Sequence, residues 1–445
     1  FNQLPSPKAY PIVGHLPDFM GDPRDYLTGL SRDHGDLVRF RLGSQQTVCV
    51  TGPELIEELL VTRRHDTVKD PITAGLSDIL GQGLLTAEGE TWRKNRRLIA
   101  PSFQPRHLAE LGDIMVTATK EHLTGMTSGR RDVSSEMMEL TLDIAVRTLF
   151  GTVMEDTHQV GPLIEQLMHG FMEKTQTWRR LLPDWVPTRG KRNAERTQRE
   201  LHRILLGLVE QRRAEGNEGS DLLSRLLAAR DDEGRGMDDQ QLRDELLTLF
   251  LAGHETTALS LSYSLHLLAT HPEIQEQVQA ELDEVLAGRS PSAMDSRRLP
   301  LLDAVFQESM RLYPPAWMIA RQASADFELG GTLIPEGTVL MVPQWVVHRD
   351  PRWFAEPEAF RPQRWLEGQP PHKFAFFPFG GGQRVCVGNH FARMEAVLVL
   401  ASVLQAFELR AVPGFELELM SSVTLRPGTG VQVELVRRGS DRLAA

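Results

Sequence analysis

The sequence predicts a mainly α-helical protein, and three observations carry that prediction. From about Asp239 to Thr270 the string DQQLRDELLTLFLAGHETTALSLSYSLHLLAT has dense apolar spacing, acidic residues at its start and His-Pro just beyond its end. It reads as one helix of about 48 Å at 1.5 Å per residue. After Gly388 the string NHFARMEAVLVLASVLQAF repeats the helical spacing. Nothing divides the 445 residues: there is no Gly/Ser linker, internal repeat or low-complexity run. The polar stretch from about Arg213 to Gln241 itself holds a helical segment, DLLSRLLAARD. A single domain over 1–445, ending in a polar tail from about 436, is the expectation.

Composition narrows the function classes. Hydrophobic content of 41% and charged content of 24% are those of an ordinary globular protein with a large core. The two cysteines, Cys49 and Cys386, exclude a disulfide framework and point to a reducing compartment, so the chain is expected to be cytoplasmic. No N-terminal signal is visible, and apolar runs such as LLTLFLAG fall far short of a span, so no membrane anchor is expected in this chain. The net charge of −11 argues against a nucleic-acid partner, because phosphate binding needs a basic field. Local sign can differ: Arg93, Lys94 and Arg97, with Arg393, are expected to form a basic docking patch.

The most informative ten residues are FGGGQRVCVG, 379–388. A cysteine that holds an iron axially must be a shielded thiolate, in a space where a flat ring lies close overhead. Gly380, Gly381, Gly382 and Gly388 carry no side chain to collide with a ring, and glycine readily adopts positive φ. Arg384 is placed to neutralise a carboxylate at the ring's edge, and the helix that follows favours a negative sulfur. Rival readings fail on spacing. A phosphate loop needs Gly-Lys-Ser/Thr, a dinucleotide fingerprint needs Gly at Val385, and a zinc site from Cys386 and His390 lacks two further ligands. An inert core cysteine does not explain the glycines and Arg384.

This string resembles the haem-binding signature of the cytochrome P450 superfamily, in which a Phe, a Gly, an Arg, the Cys and a Gly recur at this spacing. The resemblance implies that Cys386 ligates the iron of haem b, with Phe379, Gly380, Arg384 and Gly388 around it. AGHETT, in the middle of the long helix, resembles the family's oxygen-activation motif. An acid followed by a hydroxyl offers a proton route. By the resemblance Thr256 steadies dioxygen, Glu255 takes part in proton delivery and Ala252 faces the haem. His254 and Glu255 also begin a metalloprotease His-Glu-x-x-His, but position 258 is Ala and the second zinc ligand is missing.

Glu308 and Arg311, three apart in LLDAVFQESMRLYPP, share a helix face. With Arg364 of FRPQRW they resemble the family's Glu-Arg-Arg triad, a structural network that supports the cysteine loop. Trp92 and Arg96 in ETWRKNRRLIAPSF, and Arg321 ten residues after Arg311, resemble groups that reach the haem propionates, a role that Arg forks and indole N–H groups suit. The entry segment LPSPKAYPIVGHL is similar to the family's proline-rich start.

The resemblance covers nearly the whole chain and implies a triangular helical prism with a small β-rich lobe. It also implies a monooxygenase that inserts one atom of O2 into a lipophilic substrate by hydroxylation or epoxidation. No flavin or iron–sulfur motif is present, so electrons from NAD(P)H are expected through a separate ferredoxin or flavodoxin with its reductase, serving a monomeric enzyme. Matching positions place Leu80, Leu85, Leu251, Ala252, Ala316, Met318 and Val423 around an apolar pocket. GHETT and TLRP are closer to the fatty-acid and broad-specificity branch, so a fatty acid is the first expectation. The alternatives are a secondary-metabolite or xenobiotic oxidiser, a peroxide-using peroxygenase and a haem-based gas sensor.

Overall fold

A computed structural model describes residues 1–151, 160–176, 189–216, 219 and 221–439. The chain forms two units. The first comprises Phe1–Asp70, Thr119–Met138 and Thr256–Ala445, the second Pro71–Ala118 and Glu139–Glu255.

The first unit carries a five-stranded sheet in the order Leu37–Leu42, Gln45–Val50, Val339–Val342, Ile319–Ala323, Thr67–Lys69. Gln45–Val50 and Val339–Val342 run parallel, and the other pairs are antiparallel. Side chains alternate across the pleat as a two-residue period requires. Val48, Val50, Leu340 and Val342 pack with Ile56, Leu59, Leu60 and Phe377 on one face. Cys49 and Met341 pack with Leu27, Val38 and Phe40 on the other.

Three helices of this unit matter for the site. Pro300–Leu312, the glutamate helix, buries Glu308 and Arg311. Asn389–Ala406, the cysteine helix, is buried without a break from Met394 to Leu404. Apart from Glu395 and Ser402 that stretch is apolar on every face, which places it in a core. Pro272–Leu286 starts at Pro272, whose fixed φ suits a first helical position. A three-stranded sheet, Gly129–Asp132, Gln432–Arg437 and Phe407–Ala411, closes the unit's C-terminal part. Val436 and Arg437, expected in a polar tail, instead end the strand Gln432–Arg437, because Arg437 pairs with Phe407 and its side chain donates to the Met126 carbonyl at 2.7 Å. Arg438 and Gly439 follow the strand as a turn, and 440–445 lie outside the described residues.

In the second unit Gly89–Ile99, Arg189–Ala214 and Leu222–Ala228 are helical. DLLSRLLAARD is helical over Leu222–Ala228, with Asp221 capping the Ser224 N–H at 2.9 Å. The long helix spans Asp239–Thr270, and the division between the units falls within it, after Glu255. Its first turn is capped by Asp238, which accepts from Gln241 N–H at 2.8 Å. Among the described residues no helix is long and apolar enough to cross a membrane.

Candidate active site

The segment from Phe374 to Gly388 is held by contacts that only glycines permit. Gly380 and Gly382 take φ of +73° and +64°. A Cβ on Gly382 would stand 2.2 Å from the Leu60 carbonyl oxygen, and one on Gly381 would stand 2.2 Å from the Phe374 ring. Of the four glycines expected to need it, Gly380 and Gly382 take positive φ, and Gly381 and Gly388 do not. Gly381 (φ −152°) is a matter of space, and Gly388 (φ −91°) is the N-cap of the cysteine helix. Cys386 lies two residues before that cap, and its N–H donates to the Phe379 carbonyl at 2.9 Å. Its side chain is exposed, whereas Cys49 is 1% exposed and burial pushes that thiol up to about 12. Arg384 is half-buried in the short turn Gly382–Arg384.

Behind the loop stands a buried ionic network. Arg311 Nε and Nη2 donate to the two Glu308 oxygens at 2.9 and 2.8 Å, and both side chains are fully buried at 0%. Arg364 Nε reaches Glu308 Oε1 at 3.0 Å, and the Trp365 indole N–H reaches Oε2 at 2.9 Å. Arg311 spends its remaining donors on the carbonyls of His348 (3.0 Å), Pro357 (2.6 Å) and Ala359 (3.0 Å). All five N–H groups of a guanidinium are thereby used, which a lysine cannot do.

The network reaches the loop through His348. Burial, with Arg311 and Arg349 adding to it, holds this imidazole well below its usual range, so it is neutral. Its Nε2 accepts the Phe377 N–H at 3.1 Å. The Phe377 carbonyl accepts from Gly380 N–H at 2.8 Å and from Gln344 Nε2 at 2.5 Å. A run of hydrogen bonds thus joins Glu308 to the turn that precedes Cys386. The sequence carries no local signal for the roles of His348, Gln344 and Trp365 in this network. Glu395, on the cysteine helix, is 1% exposed, and burial holds it well above the carboxylate range.

Arg321 sits half-buried on the strand Ile319–Ala323, between Leu340 and Lys69 of the neighbouring strands. Ala316 and Val423 are exposed and Met318 is half-buried. Tyr263 and Ser260 anchor the long helix within this unit. The Tyr263 hydroxyl donates to the Leu425 carbonyl at 2.7 Å, and Ser260 Oγ contacts Met310 Sδ at 3.4 Å.

In the second unit, Trp92 is buried and Arg96 half-buried one turn apart on Gly89–Ile99. Glu255 is 7% exposed, and Ala252 is exposed. Thr256, the next residue along, is half-buried. His254 turns its Nδ1 back to the Phe250 carbonyl at 3.0 Å, and its own carbonyl accepts from Thr141 Oγ1 at 3.0 Å. Leu80 and Leu251 are buried and Leu85 half-buried.

The expected basic patch is matched by acids. Arg93 pairs with Glu90, Arg97 with Asp232 at 2.6 Å, Lys94 with Asp231 at 3.9 Å, and Arg393 with Asp303. Sequence spacing showed the cations, but Asp231 and Asp232 lie more than a hundred residues on.

The structure thus brings together a thiol at an exposed turn before a helix, closely packed glycines and a buried ionic network joined to that turn by hydrogen bonds. Residues 4–433 match the family Cytochrome P450. The chain is 34% identical to cyclooctat-9-en-7-ol 5-monooxygenase of Streptomyces melanosporofaciens, over 92% of this chain and 90% of that protein. It is 34% identical to cyclooctatin synthase of the same organism, over 95% and 93%. It is 31% identical to pentalenene oxygenase of Streptomyces avermitilis, over 97% of each. The chain belongs to the cytochrome P450 family, with the mainly α fold and the oxidoreductase chemistry of a haem–thiolate enzyme.

Proposed function

We propose that the protein is a monooxygenase of a compact, uncharged, lipophilic ring compound, with Cys386 as the thiolate ligand of haem b. The observation that carries the reading is the cradle itself. Gly381 and Gly382 have no room for a Cβ, and the loop they shape leaves the Cys386 thiol exposed. These residues fit the flank of a flat macrocycle held by one sulfur. When bound, the haem supplies the activation of dioxygen and the transfer of one oxygen atom to substrate carbon.

The chain's own residues supply the rest. Phe379, Gly380 and Gly388 shape the loop around the sulfur. Arg384, Arg321, Trp92 and Arg96 are assigned to propionate carboxylates by charge and N–H donation. Ala252 leaves its stretch of the long helix without bulk. Thr256 Oγ1 passes a proton onward, and the Glu255 carboxyl supplies it. Electrons come from NAD(P)H through a separate ferredoxin or flavodoxin and its reductase.

The relatives' names favour the substrate class. They speak of a cyclic alkenol and an alkene, and none of the three names a fatty acid. The secondary-metabolite alternative therefore stands ahead of the fatty-acid expectation. A test is NADPH-driven turnover with a surrogate ferredoxin and its reductase. Product that needs the reductase supports the monooxygenase. Product from added peroxide alone would make it a peroxygenase, and spectral binding of gases with no product would leave a sensor.

A further inference from the structure

The segment Gly81–Ala87 is fastened to the start of the long helix by contacts inside the second unit. Gln82 N–H donates to Asp244 Oδ2 at 2.8 Å and Leu84 N–H to Glu245 Oε2 at 2.9 Å. Asn95 Nδ2 donates to the Gln82 carbonyl at 2.8 Å and is itself held by Gln241 Nε2 at 2.8 Å. Thr86 Oγ1 closes the segment on itself, donating to the Gly81 carbonyl at 2.7 Å. The approach is as close as backbone allows: a Cβ on Gly83 would stand 2.1 Å from Thr248 Oγ1 and 2.6 Å from the Asp244 carbonyl oxygen.

Burying two consecutive acids is costly, so they need a reason to be there. Asp244 and Glu245 are 1% and 0% exposed. Asp244 is paired with Arg243, but no ion pair to Glu245 is found among the described residues. What both acids do is accept backbone N–H groups of a segment whose flanking and internal leucines, Leu80 and Leu85, are assigned to the substrate pocket.

We propose that Asp244 and Glu245 are positioning residues that fix the Gly81–Ala87 segment on the long helix and thereby set the size of substrate the pocket accepts, an inference that rests on the monooxygenase reading above. Burial, with Asp244 adding, pushes the Glu245 carboxyl up to about 8 against the pull of the Leu84 N–H and Asn95. Its carboxyl oxygen accepts the Leu84 N–H whichever way it titrates. Gln at this position keeps that acceptor, and Leu removes it.

The test titrates the purified ferric holoprotein with imidazole and with 4-phenylimidazole, reading the nitrogen-ligand spectral shift, and follows amide hydrogen exchange over 82–87. In Glu245→Leu the ratio of the two dissociation constants should move about fivefold, the scale of one lost buried hydrogen bond, with faster exchange confined to the segment. Glu245→Gln should restore both. Gly83→Ala, which pries the segment off by bulk, should move the ratio in the same direction, and it serves if the Leu variant does not fold. An unchanged ratio, unchanged exchange, or a Gln variant that behaves like Leu overturns the proposal. If the native protein shows no thiolate–haem spectrum, the monooxygenase reading fails. Exchange then still decides the clamp: acceleration in Glu245→Leu supports it and its absence refutes it.

Discussion

At the scale of the residue, two cysteines show how environment divides one chemistry. Cys49 is packed in the sheet core and its thiol is held protonated, while Cys386 is exposed at a turn before a helix. Cys386→Ser should abolish the red-shifted Soret band of the reduced carbon monoxide complex, and Cys49→Ser should keep it; a band that survives the first change refutes Cys386 as ligand. Glu308 offers a second residue-level prediction. Removing it leaves Arg311 charged, buried and without its carboxylate, a loss of about 3–5 kcal/mol. Glu308→Ala should lower the urea midpoint sharply and reduce haem retention, and Arg311→Lys should do nearly as much, since Lys has three donors for five acceptors. The Glu-x-x-R spacing made the pair legible in sequence. It did not reveal Trp365, Arg361 N–H or His348, because their contacts to the pair depend on a loop about fifty residues away folding back onto the helix.

At the scale of the element, the long helix was legible over its full length because its signals are local: acids at the start, apolar spacing throughout, His271-Pro272 at the end. The role of AGHETT within it rests on the family resemblance and is open to test. Thr256→Ala should keep haem and fold but uncouple turnover, so that NADPH is still consumed while product falls and hydrogen peroxide rises; unchanged coupling would remove Thr256 from the proton route. The clamp on the same helix was not legible. Asp244 and Gln82 are 162 residues apart, and DELL reads locally as nothing more than acids near a helix start. Its titration gives a check on stability. A carboxyl whose folded value is raised from 4.5 to about 8 binds more protons folded than unfolded across that window. Stability from this group is therefore full below about pH 4.5 and is lost as pH rises through 8. Thermal midpoints of the native protein should fall relative to Glu245→Gln between pH 5 and 9, and parallel curves would show that Glu245 does not titrate there.

At the scale of the whole molecule, charge and substrate meet. The chain carries −11 overall, and the cations expected to dock a partner are each faced by an acid, so close pairs cancel beyond about 8 Å at physiological ionic strength. Reduction by a ferredoxin should then depend only weakly on salt. A steep decline would restore the patch. The same acidity bears on what enters the pocket. A fatty acid brings a carboxylate that a net-negative protein does not attract, whereas an uncharged cyclic alkenol or alkene brings none. The two classes also differ in how affinity grows. Burial is worth about 0.8 kcal/mol per CH₂, so a pocket built for chains should bind saturated acids more tightly with every carbon until its length is filled. A pocket built for a compact ring system, its wall fastened by Asp244 and Glu245, gains nothing from added chain. Titrating saturated acids of increasing length beside pentalenene, and following the low- to high-spin shift, separates the two. We expect saturable shifts from the ring compound and weak shifts from the acids with no trend in length; affinity that climbs with chain length, with no response to the ring compound, would return the protein to the fatty-acid branch that its motifs first suggested.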